Sequence, residues 1–223
     1  MYSEQNLLFN QENVALVNPL KGWLKAKQII LHFLSLWQNP EIRVMKTLET
    51  ATFANGCFWC ADAVFRKIEG IENVRSGFTG GTIKNPAYRE VVRGLTKHVE
   101  AVQLQFDPQK ISYREIVLIF FTTHDPTSLN RQGYDAGAHY RSVIFYHSGE
   151  QKTIAEKLTA ELNKDVFDGK IVTEIEPASP FYEAKEMHQD FYNNHREVPY
   201  CKIIIDPKIN KLRRFFKDKM KTA

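Results

Sequence analysis

Cysteine is scarce in this chain, with three in 223 residues. An odd and small number excludes the stapled framework of a disulfide-rich secreted domain and fits a reducing compartment, the cytoplasm, where thiols react rather than brace. Long apolar runs are also missing, since nothing reaches the about 18 residues that a membrane span needs. Internal repeats and low-complexity tracts are absent too. Charge of one sign is lacking over most of the chain: the net charge is +4, but residues 202–223 hold eight Lys/Arg against Asp206 and Asp218, which leaves about −2 for the rest. That balance excludes a nucleic-acid-binding body, and the basic tail reads as a solvated face.

What is present is an ordinary globular composition, 43% apolar and 25% charged. Residues 1–45 read as an N-terminal extension, because strand-like patterning starts only at Thr47. Its segment IILHFLSLW (29–37) follows Lys21, Lys25 and Lys27 but lacks a small-residue cleavage site, which argues against export. It reads as a peripheral helix, or as sequence upstream of a start at Met45. Residues 46–205 read as one domain and 206–223 as a basic, helical tail.

Within the domain, strand and helix patterns alternate. TLETATFANG is a strand running into a glycine turn. CFWCADAVFRKIEG is a helix with Ala61, Val64, Phe65 and Ile68 on its apolar stripe and Gly70 at its close. IENVRSGFTGG is a second strand, NPAYRE a loop, and HVEAVQLQFDP a third strand. Ser112 and Glu115 form a capping box before a helix through Ile116, Ile119 and Phe120. HDPTSLNRQGYDAGAHYRS is a long polar loop that leads into the strand YRSVIFYH. Ser148 and Gln151 cap the next helix, KIVTEIEPA is a strand and PFYEAKEMHQDFYNNH a helix. The alternation predicts an α/β or α+β fold of two layers.

Two of the three cysteines are spent on GCFWC (56–60). Cys57 falls at the start of a helix, where unpaired N–H groups and the macrodipole favour a thiolate, lowering its pKa toward neutrality. Cys60, one turn on, can capture an oxidised Cys57 as a disulfide. Phe58 and Trp59 are either core or the wall of a pocket for a small apolar group. A zinc site would need Cys57, Cys60 and two of Cys201, His188 and His195, and a lone CxxC argues weakly for it. Glu100 shares strand parity with Val102, Leu104 and Phe106, opposite Gln103 and Gln105. A carboxylate on an apolar face is desolvated, and its raised pKa suits a general acid. Tyr88, Asp135 and Tyr140, read alone, are turn or edge residues.

With GCFWC, SGFTGG (76–81), NPAY (85–88), HVEAV, FFTTHDPTSLNRQGYDAGAHYRS and FYEAKEMHQDFY in this order, residues 48–201 resemble peptide methionine sulfoxide reductase A. The resemblance implies a two-layer α/β fold with a mixed β-sheet, flanking helices and the nucleophile at a helix N-terminus. It implies reduction of the S-epimer of methionine sulfoxide, free or in oxidised proteins. Cys57 would attack the sulfoxide sulfur and Glu100 protonate the oxygen. Tyr88 and Tyr140 would hydrogen-bond to that oxygen, Asp135 would lie beside the site, and Phe58 and Trp59 would hold the methyl group. A sulfenic acid on Cys57 then condenses with a resolving thiol, and thioredoxin or another dithiol reduces the disulfide, with no metal or organic cofactor and no partner subunit. Cys60 stands where many members have glycine. Cys201, in VPYC, lines up with the family's resolving GYC cysteine, although the glycine-rich tail beyond it is replaced by KIIIDPKINKLRRFF. Both can capture the sulfenic acid, with Cys201 favoured as the thioredoxin substrate. The alternative enzyme is a thioredoxin-type oxidoreductase using Cys57 and Cys60 directly, which leaves Glu100 and the tyrosines without a task.

Overall fold

The computed structural model describes residues 47–222 and, ahead of them, Gln28 alone. The expected extension with its IILHFLSLW helix lies outside the described residues. Among these, no helix is long and apolar enough to cross a membrane.

The centre is a six-stranded mixed sheet in the order β7-β6-β1-β3-β2-β8. Its strands are β1 (Glu49–Asn55), β2 (Ile71–Thr79), β3 (Val99–Phe106), β6 (Ser142–Tyr146), β7 (Glu174–Pro177) and β8 (Tyr182–Glu183), while β4 (Arg131–Gln132) and β5 (Asp135–Ala136) form a separate small hairpin. Only β6 and β7 pair in parallel. The interior strands β1 and β3 are covered on both faces, so apolar residues are not confined to one parity. Phe53, Val102, Leu104 and Phe106 belong to the main core, whereas Ala54, Val99, Ala101, Val143 and Phe145 form a second cluster closed by Phe181. The main core holds α1 (Phe58–Phe65), α3 (Tyr113–Thr123), α4 (Gly149–Asp165) and α6 (Asp206–Phe215), while α2 (Tyr88–Val92) and α5 (Phe191–Asn194) are short. Phe53 is a hub, with ring centroids 5.6 Å from Phe65 and 5.2 Å from Phe120.

Local signals account for most of these elements. Ser112 Oγ accepts the Glu115 N–H while Glu115 accepts the Ser112 N–H, closing the anticipated capping box, and Ser148 accepts the Gln151 N–H. Gly56 turns β1 into α1 at φ +94°, where a Cβ would also press on Gln132 at 2.7 Å. The first helix stops at Phe65, short of Ile68, which instead bridges to Met220.

Two segments depart from expectation. NPAYRE was read as a loop, but α2 starts inside it because the Glu90 carboxylate caps the Ala87 N–H at 2.9 Å. PFYEAKEMHQDFYNNH was read as one helix, but it breaks into β8, a 3₁₀ turn at Glu186–His188 and α5. The edge of β2 captures it. Tyr182 and Glu183 pair with Phe78 and Gly77, and the Gln189 amide then bonds both the N–H and the C=O of Ser76 at 2.9 Å. Tertiary pairing outweighs helix propensity here.

The basic segment 206–223 forms α6 and then a 3₁₀ turn. Pro207 sits in the first turn of α6, where its missing N–H costs nothing. Ile209 and Leu212 are fully buried and the Lys221 N–H bonds the Lys67 carbonyl, so the segment is packed on the domain, while Phe215 stays exposed with the basic side.

Candidate active site

Cys57 is the N-cap of α1, 8% exposed, and lines a pocket of about 500 Å³. Beneath it lies Glu100 from β3, 2% exposed, whose Oε2 accepts the Phe58 N–H at 3.1 Å. The Cys57 side chain hydrogen-bonds the same carboxylate. Burial pushes the Glu100 pKa up to about 8, against the pull of the Phe58 N–H. At neutral pH the carboxyl therefore carries a proton beside a thiol.

An aromatic enclosure surrounds the pair. Trp59 stacks on Phe191 with centroids 3.7 Å apart and meets Tyr200 edge-on at 5.9 Å. Phe58 packs on Phe78 and His188, and Tyr88 stacks on His188 at 4.9 Å. Phe58 is buried, Trp59 half-buried, and Tyr88 42% exposed at the rim. The phenols of Tyr88 and Tyr140 are both pushed upward by burial and then by the charges of Glu100, Cys57 and Asp135. Both therefore stay protonated and able to donate, and these five groups share one electrostatic neighbourhood.

A second polar chain runs beside the first. Tyr200 donates its hydroxyl proton to Asp135 Oδ2 at 2.8 Å, and its oxygen lies 3.7 Å from Cys60 Sγ. The two Cys sulfurs of α1 are hydrogen-bonded to each other, which favours the anion on Cys60 and disfavours it on Cys57. Cys201 is completely buried, in a single π-helical turn (Cys201–Ile205), and it does not line the pocket that Cys57 and Cys60 share. All three cysteines are free.

The chain matches the family model described as peptide methionine sulfoxide reductase over residues 49–220. It belongs to the peptide methionine sulfoxide reductase family. It is 50% identical over 172 residues to the peptide methionine sulfoxide reductase MsrA of Sulfolobus acidocaldarius, covering 77% of this chain and 97% of that one. Identity is also 50% to the MsrA of Deinococcus radiodurans, with 78% and 84% covered. Among solved structures it resembles reduced Mxr1 of Saccharomyces cerevisiae, with a TM-score of 0.66, 33% identity, and 69% of this chain and 89% of that one covered. Methionine sulfoxide reductase A of Corynebacterium diphtheriae follows at a TM-score of 0.63 and 31% identity, with 67% and 76% covered.

The fold thus brings Cys57, Glu100, Phe58, Trp59, Tyr88, Asp135 and Tyr140 together from five separate stretches of chain. One expectation is reversed. The helix start was expected to lower the Cys57 pKa, but the thiol is held well above its ordinary range. Desolvation outweighs the helix end, and the Cys60 hydrogen bond and the Glu100 carboxylate add to it. The zinc reading also fails on geometry: among the described residues no group of three or more His, Cys, Asp or Glu is arranged to hold a metal. His195 instead bonds the Phe191 carbonyl at 3.2 Å. Two residues escaped sequence reasoning as site members. His188 was weighed only as a metal ligand and is part of the aromatic wall. Tyr200 was passed over, although it directly precedes a cysteine in VPYC.

Proposed function

We propose that the protein reduces the S-epimer of methionine sulfoxide to methionine, in oxidised proteins and as the free amino acid, and so repairs oxidative damage. The observation that carries this reading is a buried, proton-bearing carboxyl, Glu100, hydrogen-bonded to a thiol that lines a pocket. A thioredoxin-type disulfide exchange needs no such acid.

In this reading the substrate methyl group lies against Phe58 and Trp59, and the sulfoxide oxygen accepts hydrogen bonds from Tyr88 and Tyr140. Glu100 gives its proton to that oxygen as the Cys57 sulfur attacks the sulfoxide sulfur. The Cys57 thiol proton passes to the Glu100 carboxylate, so a thiol held neutral at rest is deprotonated only as the acid is spent. The S–S bond formed in the attack and the S–O bond of the substrate then break as the oxygen is transferred, so methionine leaves and a new S–O bond makes Cys57 a sulfenic acid. Cys60, already hydrogen-bonded to the Cys57 sulfur, captures it with loss of water. Cys201 then attacks the Cys60 sulfur, and the resulting bridge is reduced by thioredoxin or another dithiol. Neither a metal nor an organic cofactor enters, the working unit is a monomer, and a reducing cytoplasm suits three free thiols.

The test is methionine formation from each resolved epimer, with and without thioredoxin. S-sulfoxide is consumed and R-sulfoxide is not. Cys57→Ser abolishes the reaction, because a hydroxyl of ordinary high pKa cannot replace the sulfur nucleophile. Appreciable turnover in that variant would remove Cys57 from the mechanism. Cys201→Ser should release about one methionine per enzyme and stop with a Cys57–Cys60 bridge, read by peptide mapping. Full thioredoxin-coupled turnover would instead assign resolution to Cys60 alone.

A further inference from the structure

Asp135 and Cys60 converge on one phenol. Tyr200 has a single hydroxyl proton, and it is donated to Asp135 Oδ2 at 2.8 Å. With that proton engaged, the Tyr200 oxygen is free to accept from Cys60 Sγ, 3.7 Å away, and the same hydroxyl also contacts Cys57. The result is a directed path, Cys60 S–H to Tyr200 oxygen and Tyr200 O–H to Asp135 carboxylate. It opens onto the pocket that Cys57, Cys60, Asp135 and Tyr200 all line. Its ring is fixed edge-on against Trp59, so the hydroxyl is held in place rather than free to rotate into solvent.

We propose that Tyr200 is a catalytic residue of the resolving step, relaying the Cys60 thiol proton to Asp135 as Cys60 attacks the sulfenic acid. The inference rests on the reading that Cys57 becomes a sulfenic acid and that Cys60 captures it. In the step, the Cys60–Cys57 S–S bond forms and the Cys57 S–O bond breaks. The departing hydroxide takes a proton from Asp135, which Tyr200 has supplied from Cys60, so the products are a disulfide and water with no net proton change. Cys60 is oxidised from thiol to disulfide as the sulfenic sulfur is reduced to the same level. Lys208 lies on the same side and favours the Cys60 anion, while Asp135 and Glu100 oppose it, so a carboxylate that accepts the proton removes its own opposition. The phenol itself is kept protonated by burial, which makes it a conductor of the proton rather than its final holder.

Tyr200→Phe keeps the ring on Trp59 and removes only the hydroxyl. The measurement is a single turnover with S-sulfoxide, following methionine by rapid quench and the sulfenic acid by dimedone trapping. Tyr200→Phe should lengthen the life of the sulfenic acid by roughly 10²-fold, the low end of proton-transfer catalysis, and slow methionine release by less than a tenth of that factor. Asp135→Asn, which breaks the far end of the path with Tyr200 in place, should lengthen it as well. An unchanged lifetime in Tyr200→Phe, with a long-lived sulfenic acid in Cys60→Ser, overturns the relay and leaves the proposed function standing. Equal slowing of both steps assigns Tyr200 to packing and also overturns it. A Cys60→Ser lifetime equal to that of the unaltered protein would show that Cys60 is not the capturing thiol, and the reading beneath fails with it.

Discussion

Two carboxyls are buried against α1, and they are equipped in opposite ways. Asp62, fully buried in the second turn, accepts two hydrogen bonds from Arg66, at 2.7 and 3.1 Å, and one from Ser76 Oγ at 3.3 Å. Arg66 in turn reaches the Val74 carbonyl at 2.9 Å and lies 3.5 Å from Asp190. Glu100, at the helix start, is equally hidden but faces a thiol, with the Phe58 N–H as its support and, among the described residues, no cation. A charge with a partner is a brace, tying α1 to β2 and to the turn before α5. A buried carboxyl without one is kept neutral, and a neutral carboxyl against a reactive thiol is a proton donor. Burial alone therefore does not mark the functional acid; the lack of a paired cation does.

The sharpest way to break the comparison is Glu100→Gln. The amide keeps the shape and accepts the Phe58 N–H, so stability should hold while the sulfenic-acid-forming step slows by roughly 10²–10⁴-fold. Single-turnover methionine release measures it. A rate close to that of the unaltered protein would return Glu100 to the same class as Asp62.

The reciprocal change is Asp62→Asn. It leaves the Arg66 guanidinium facing an amide inside the fold and should cost about 1–3 kcal/mol in denaturant unfolding. The chemistry per folded molecule should stay within about threefold, since Asp62 donates no proton to the site. A loss of single-turnover rate as large as that of Glu100→Gln, in fully folded protein, would erase the distinction between brace and acid.

How much of this was legible depended on the distance along the chain. Glu100 announced itself through strand parity, a signal contained in seven residues, and Cys57 through its position between a glycine turn and an apolar stripe. Asp62 and Arg66 carried the i, i+4 spacing of a helical ion pair, yet nothing local said that their side of α1 would be covered by β2. The reversal of the Cys57 pKa was not readable, because it arises first from burial in the folded core and only then from Cys60 and from Glu100, 42 residues beyond Phe58. Tyr200 and Asp135 meet across 65 residues, and no periodicity links them. The segment 181–194 was misread for the same reason: its apolar spacing suits a helix, and only the free edge of β2 decides otherwise.

The smallest expected effect is the most diagnostic in pH. Glu100 titrates near 8 in the folded protein against about 4.3 in an unfolded chain. Its neutral form is the acid, so the first chemical step should be flat from pH 6 to 7 and then fall as pH rises through about 8, by about tenfold per unit beyond it. The same shift has a consequence for stability, with a definite sign. A group whose folded pKa is raised stabilises the fold fully below its unfolded value, and that contribution is lost as pH rises through the folded value. The protein should therefore lose stability between pH 5 and 9 through Glu100, and Glu100→Gln, which never ionises, should lose less over the same range. Denaturant midpoints at pH 5, 7 and 9 for the two proteins read this directly. Asp62→Asn should show less of that alkaline protection, because burial also raises the Asp62 carboxyl but the Arg66 guanidinium pulls it back, whereas Glu100 has no such partner among the described residues. Parallel midpoints for the unaltered protein and Glu100→Gln would mean that the Glu100 carboxyl ionises freely in the fold, and its role as proton donor would fall with that result.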